Sequence, residues 1–214
     1  MSNNLSTPDS DTAAEQLVHI IDDDEALRDS LVWLLESTGL KVASYPSAEA
    51  FLQSWTLSFT GCLVLDIRMP GMSGLELHEK LNAMHSTLPV IFITGHGDVP
   101  MAVTALKKGA FDFIEKPFHD HDMLNLIEQC LGKERAQREQ RRQGADAQRR
   151  IEHLTPRERE VLHLIVAGRL NKQIADELGI SIKTVEVHRA RVMEKMGANS
   201  LAELVQHVLM SQPA

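Results

Sequence analysis

Short apolar runs alternate with amphipathic stretches along the first 132 residues. The runs Leu17–Ile21, Lys41–Tyr45, Cys62–Leu65, Val90–Ile93 and Asp112–Ile114 have the length of strands and little polar interruption. Runs of that kind suit strands buried on both faces of a parallel sheet. Between them, Ala26–Ser37, Ser47–Trp55, Ser73–Met84, Val99–Lys108 and Asp120–Leu131 each carry one apolar face and predict helices. Ser73 with Glu76 forms a capping box, and Gly39 and Gly109 stand where helix C-caps belong. A five-fold alternation of strand and helix predicts an α/β fold. Its sheet should be five-stranded, parallel and doubly wound, with right-handed crossovers.

The pattern changes after residue 132. Residues 133–150 are almost devoid of apolar side chains and predict a solvated, charged helical linker, weakened at Gly144. Apolar spacing then resumes. Thr155 caps a helix that opens with Pro156, is boxed by Glu158 and runs to Ala167. Lys172–Leu178 ends at Gly179, Ile182–Met196 follows a Ser181 cap and ends at Gly197, and Leu201–Met210 is the last helix. Ala175 allows close helix approach and Gly179 permits a left-handed turn, so the middle of this all-α segment reads as a helix-turn-helix. The expected organisation is a polar tail over 1–16, an α/β domain over 17–132, the linker over 133–150 and a four-helix domain over 151–214.

Charge sharpens this division. Residues 17–132 hold 7 Lys and Arg against 16 Asp and Glu, whereas residues 133–214 hold 15 against 11. An acidic half suited to a metal precedes a basic half suited to a polyanion. No apolar run is long enough for a membrane span, so no membrane partner is expected. Cys62 and Cys130 lie in apolar surroundings as expected free thiols, and a cytoplasmic location follows from that and from a polar N-terminus.

Three strand ends carry the chemistry. Asp22 and Asp23 follow the first strand, Asp66 follows the third, and Lys116 precedes Pro117 after the fifth. The C-terminal ends of parallel strands face one crevice. Carboxylates gathered there offer oxygen ligands to Mg²⁺ or Mn²⁺, and one of them can attack an electrophilic phosphorus. Thr94 at the end of the fourth strand adds a hydroxyl, Lys116 a compact positive charge, and Gly95 and Gly97 let the backbone approach. His119 and His121 lack a third ligand nearby and read as surface residues.

On these motifs the segment 17–132 resembles the receiver domain of two-component response regulators, a flavodoxin-like fold. The matching residues are Asp22-Asp23, Leu65-Asp66-Ile67-Arg68-Met69-Pro70-Gly71-Met72-Ser73-Gly74, Thr94-Gly95-His96-Gly97-Asp98-Val99-Pro100 and Lys116-Pro117-Phe118. The resemblance implies that Asp66 is the phospho-acceptor. It makes Asp22, Asp23, Asp66 and the backbone carbonyl of Arg68 the metal ligands. Thr94 and Lys116 would bind the phosphoryl oxygens, and Thr94 and Phe113 would form the switch. Phe113 lacks the hydroxyl of the Tyr found in many receivers, so a switch here rests on ring packing.

Residues 151–210 similarly resemble a LuxR-type helix-turn-helix domain, through Leu154-Thr155-Pro156-Arg157-Glu158-Arg159-Glu160-Val161-Leu162, Asn171-Lys172-Gln173-Ile174-Ala175 and Thr184-Val185-Glu186-Val187-His188. The whole chain looks like a FixJ/NarL-type response regulator. The implied partners are a sensor histidine kinase, double-stranded DNA, a second copy on phosphorylation, and RNA polymerase. Candidate DNA contacts are Lys172, Lys183, Thr184, Glu186, Val187, His188, Arg189, Ala190, Arg191 and Lys195. Two competing readings remain at this point. Asp22 and Asp24 form an Asp-x-Asp, and with Gly97-Asp98 this is similar to phosphatases of the haloacid dehalogenase type. Alternatively, the chain binds DNA constitutively and its first domain only dimerises.

Overall fold

The computed structural model describes residues 15–95 and 99–211. Most of the expected tail, and His96, Gly97 and Asp98, lie outside them. The chain divides into two compact units, one ending at Ala136 and the other beginning at Gln137.

The first unit is built on five parallel strands: β1 (Leu17–Ile21), β2 (Lys41–Tyr45), β3 (Gly61–Asp66), β4 (Val90–Thr94) and β5 (Asp112–Glu115). Their order across the sheet is β2-β1-β3-β4-β5. Helices α1 (Glu25–Ser37), α2 (Ala48–Ser54), α3 (Gly74–Ala83), α4 (Val99–Lys107) and α5 (Asp120–Glu152) link and follow the strands. Every residue of β3 and β4 is buried, as their unbroken apolar runs require. Two cores result. One joins Ile21, Leu63, Leu65 and Phe92 to α2 and α3, and the other joins Val18, Ile20, Val64 and Ile91 to α1 and α5. Both cysteines are free and buried. Glu15 and Gln16, assigned to the tail from sequence, belong to this unit: Gln16 donates to the Leu131 carbonyl at 2.9 Å and accepts from Arg135 at 2.9 Å.

α5 differs most from expectation. The expected helix over Asp120–Leu131 and the expected helical linker over 133–150 form one helix of 33 residues, unbroken at Gly144. The apolar periodicity ends where the sequence suggested, but helix does not need it. Pairs such as Arg142 with Glu139 and Arg150 with Asp146 support the charged turns.

The second unit contains the end of α5 and α6 (Pro156–Val166), α7 (Asn171–Leu178), α8 (Ile182–Met196) and α9 (Leu201–Ser211). Gly179 and Gly197 adopt positive φ of 64° and 62° at the ends of α7 and α8. Val161, Ile174, Val185, Val192, Met196 and Leu204 form the core. Gly144 has a packing role: a Cβ there would fall 2.6 Å from the Met210 carbonyl oxygen. Arg150 donates to the Met196 carbonyl at 2.7 Å and closes the end of α8. Among the described residues, no helix is long and apolar enough to cross a membrane.

One buried group makes the first unit acid-sensitive. His19 on β1 is 3 % exposed, stacks on Phe59 at 4.8 Å and meets Tyr45 and Phe51. Burial lowers its pKa from 6.5 to about 4, and the Thr60 backbone offsets only part of this. In the unfolded chain the imidazole takes a proton below about pH 6.5, which the folded chain refuses until about pH 4. His19 should therefore contribute no acid penalty above pH 7 and remove about 3 kcal/mol as pH falls from 6.5 to 4. Denaturant titrations between pH 8 and 4 check this. His19→Phe should flatten the slope, and an unchanged slope would reject the assignment.

Candidate functional site

Asp22, just past β1, and Asp66, the last residue of β3, sit at adjacent strand ends because β1 and β3 pair in parallel. Carboxylate oxygens of Asp22, Asp23 and Asp66 all lie within 4.8 Å of one another. Asp22 is fully buried and Asp66 is 7 % exposed, whereas Asp23 faces solvent. Lys116, just past β5, places its Nζ 3.0 Å from Asp22 Oδ2 and 3.6 Å from Asp66 Oδ1. β4 pairs with both β3 and β5, which brings Thr94 to the same rim. Its buried Oγ1 finds no hydrogen-bond partner among the described residues. The Lys116 backbone N–H donates to the Thr94 carbonyl at 2.8 Å, so the two side chains share one support.

Burial and like charge both act on this crevice. Burial and the neighbouring Asp22 push the Asp66 carboxyl up to about 6, against the pull of Lys116. The Arg68 backbone N–H also bonds the Asp66 carboxylate, which favours its charged form. Asp22 is pinned from two sides: its Oδ1 accepts from the Asp24 N–H at 2.8 Å, and its carbonyl accepts from Arg28 at 2.8 Å. One ammonium paired with two of three clustered carboxylates leaves excess negative charge. An all-oxygen donor set of that kind fits a hard divalent cation.

Asp24 does not join the cluster. Its Oδ1 accepts from the Ala26 and Leu27 N–H groups and caps α1. The Asp-x-Asp of a haloacid dehalogenase-type reading thus loses its second carboxylate to helix capping. Phe113, the expected switch aromatic, is partly buried and packs against the core that contains Phe92.

The second unit presents α8 as its exposed helix. Lys183, Thr184, Glu186, Val187, Ala190 and Arg191 are solvent-facing, while Val185 and Val192 are buried. Lys172 lies exposed on α7. Arg189 lines a cleft of about 440 Å³ with Arg169 and Asn171. His188 is half-buried. Lys195 departs from expectation. Its ammonium bonds Glu158 at 2.6 Å, and Glu158 is 2 % exposed. The same carboxylate accepts from the Thr155 N–H, and these bonds, led by that to Lys195, lower its pKa from 4.5 to about 2. Lys195 thereby ties α8 to the capping box of α6 while remaining exposed. Spacing on a helical wheel does not reveal this, because Glu158 lies 37 residues away.

Residues 18–128 match the response regulator receiver domain, and residues 152–208 match the bacterial regulatory proteins of the luxR family. The transcriptional regulatory protein FixJ of Azorhizobium caulinodans is 51% identical over 194 residues, covering 91% of this chain and 92% of that protein. FixJ of Rhizobium meliloti is 49% identical, covering 90% and 94%. Among solved structures, the response regulator StyR is similar at a TM-score of 0.81 with 45% identity, over 92% of this chain and 99% of that one. These matches run through both units, and the chain belongs to the response regulators that join a receiver domain to a LuxR-type DNA-binding domain.

Proposed function

We propose that Asp66 accepts a phosphoryl group from a sensor histidine kinase and that this event controls binding of the second unit to double-stranded DNA. The observation that carries the reading is the convergence of Asp22, Asp23, Asp66, Thr94 and Lys116 on one rim. Asp22, Asp23, Asp66 and the Arg68 carbonyl would hold Mg²⁺ or Mn²⁺, which neutralises charge on the entering phosphoryl group. An Asp66 carboxylate oxygen forms the new bond to phosphorus as the donor's bond to phosphorus breaks. Lys116, near Asp22 and Asp66, is placed to meet the phosphoryl oxygens. The buried Thr94 hydroxyl can donate to another, which would draw β4 inward and free space for Phe113. Repacking there would expose a pairing face along α4 and β5, giving a homodimer on two DNA half-sites in the cytoplasm, with RNA polymerase as a further partner. Catalysis stays limited to this self-phosphorylation and to self-dephosphorylation, in which water takes the phosphoryl group and the Asp66 carboxylate is regenerated.

The test is incubation with a small phosphodonor and Mg²⁺, followed by mass mapping and a DNA titration. One phosphoryl group should appear on Asp66, labelling should slow sharply without Mg²⁺, and DNA affinity should rise with labelling. A phosphoryl group on another residue, or DNA affinity indifferent to it, defeats the proposal. The second outcome would favour constitutive DNA binding.

On the DNA side, the exposed Lys183 at the start of α8 is suited to a phosphate and the exposed Val187 to a base edge. Lys183→Ala should weaken binding to every sequence and reduce the salt slope by about 1. Val187→Ala should instead change base preference. Salt-dependent titrations on a selected operator check both, and two unchanged profiles would move the interface away from α8.

A further inference from the structure

The loop between β3 and α3 follows Asp66 directly and supplies the Arg68 carbonyl, so its shape bears on the cation site. The two ends of this loop are held from within or by β4. The Ile67 N–H donates to Ile93 at 3.1 Å, the Gly74 N–H to Ile67 at 3.0 Å, and the Ser73 N–H to Glu76 at 2.8 Å. The bend at Gly71–Met72 is held differently. Gly71 has a φ of 77°, a region that favours glycine, and the next N–H, that of Met72, donates to Glu49 Oε1 at 3.0 Å. Glu49 comes from α2, 23 residues earlier, and the same Oε1 lies 3.0 Å from where a Gly71 Cβ would be. Glycine at that bend thus leaves room for the carboxylate.

We propose that Glu49 is a positioning residue for the phosphoryl site: by holding the Met72 N–H it fixes the loop that presents the Arg68 carbonyl, beside Asp66, to the divalent cation. The geometry is specific. Ser47 caps α2, accepting from the Ala50 N–H at 3.1 Å, and thereby sets the first turn from which Glu49 projects. The Glu49 backbone N–H and the Met72 N–H, in that order, hold its carboxyl below the usual carboxylate range. Lys80 on α3 adds a favourable charge. Glu49 does not touch the acidic cluster, and its side chain is exposed, so replacing it removes nothing from the core. Its effect on the site must pass through the loop. A loop released at Met72 keeps Asp66, anchored in β3, but lets the segment containing Arg68 sample other conformations. The cation then loses part of a prearranged ligand set.

The inference rests on the proposed cation site, and the test separates the two. Full-length wild type, Glu49→Ala and Glu49→Gln are compared by Mg²⁺ titration, by amide exchange at Met72 and by labelling rate with a small phosphodonor. Gln retains a carbonyl acceptor, so it should keep the Mg²⁺ dissociation constant within about 2-fold of wild type. Ala should raise that constant about 5-fold, exchange Met72 about 10-fold faster and label more slowly at subsaturating Mg²⁺. Ala that binds Mg²⁺ like wild type overturns the inference, whatever happens at Met72. Gln that fails as badly as Ala overturns it too, because charge rather than the hydrogen bond would then be responsible. Wild type that takes up no Mg²⁺ overturns the cation site itself, and the role of Glu49 with it.

Discussion

In metal-free buffer above pH 7, Asp66→Asn should unfold later than the wild type, by about 2 kcal/mol. The wild type gathers carboxylates of Asp22, Asp23 and Asp66 within 4.8 Å, with one ammonium nearby. Folding thus forces Asp66 into a place where its charge is disfavoured, as its pKa of about 6 records. An amide keeps the shape and removes one of the like charges, while Lys116 keeps Asp22 at 3.0 Å. Added Mg²⁺ should then invert the ranking. The wild type should gain stability with metal concentration, and Asp66→Asn should gain far less. Thermal melts with a chelator and with millimolar Mg²⁺ measure both arms. A variant less stable than wild type without metal would mean that Asp66 is held by favourable contacts and that the crevice is not frustrated.

Gly74→Ala should destabilise the first unit by about 3 kcal/mol and slow labelling at Asp66 by about 100-fold. On helix propensity alone the change should help, since Gly74 is the first residue of α3 and alanine is the better helix former. The structure reverses that sign. A Cβ at Gly74 would lie 2.1 Å from the Asp66 carbonyl oxygen and 3.1 Å from Leu65 Cγ. Neither neighbour yields cheaply, because both belong to β3, whose every residue is buried. The Asp66 backbone must shift, and its carboxylate with it. Gly132→Ala in α5 is the control: nothing lies within 4 Å of its Cβ position, so it should stabilise by up to about 1 kcal/mol and leave labelling unchanged. Denaturation curves and labelling rates on the two variants decide the matter. Equal behaviour would show that the approach of α3 to Asp66 is not restrictive.

The strands were legible because each buried run is local, and local periodicity is what a sequence displays most directly. β1 and β2 coincide with the expected runs, and β3, β4 and β5 are longer by one or two residues at ends where Gly61, Asp66, Thr94 and Glu115 interrupt the apolar pattern. The acidic cluster was legible for a related reason: parallel strands bring their C-terminal ends together whatever the loops do. Contacts between distant residues were not. Nothing local marks Glu49 as a support for Met72, Lys195 as the partner of Glu158, or His19 as a ring in an aromatic core. The length of α5 was hidden by composition. Charged turns lack an apolar stripe, and Gly144 suggests a break unless the nearby Met210 carbonyl is known.

Arg150 precedes the 152–208 stretch shared with the luxR family, yet its guanidinium closes α8 through Met196. A protease that cut near residue 151 would therefore release a damaged module. The α8 carbonyl end would lose its arginine cover, and α9 would lose the flank where Gly144 approaches Met210. The second unit begins at Gln137, some fifteen residues before that shared stretch. Those residues look dispensable because their composition is so polar, yet Gly144 packs against α9 and Arg150 bonds the end of α8.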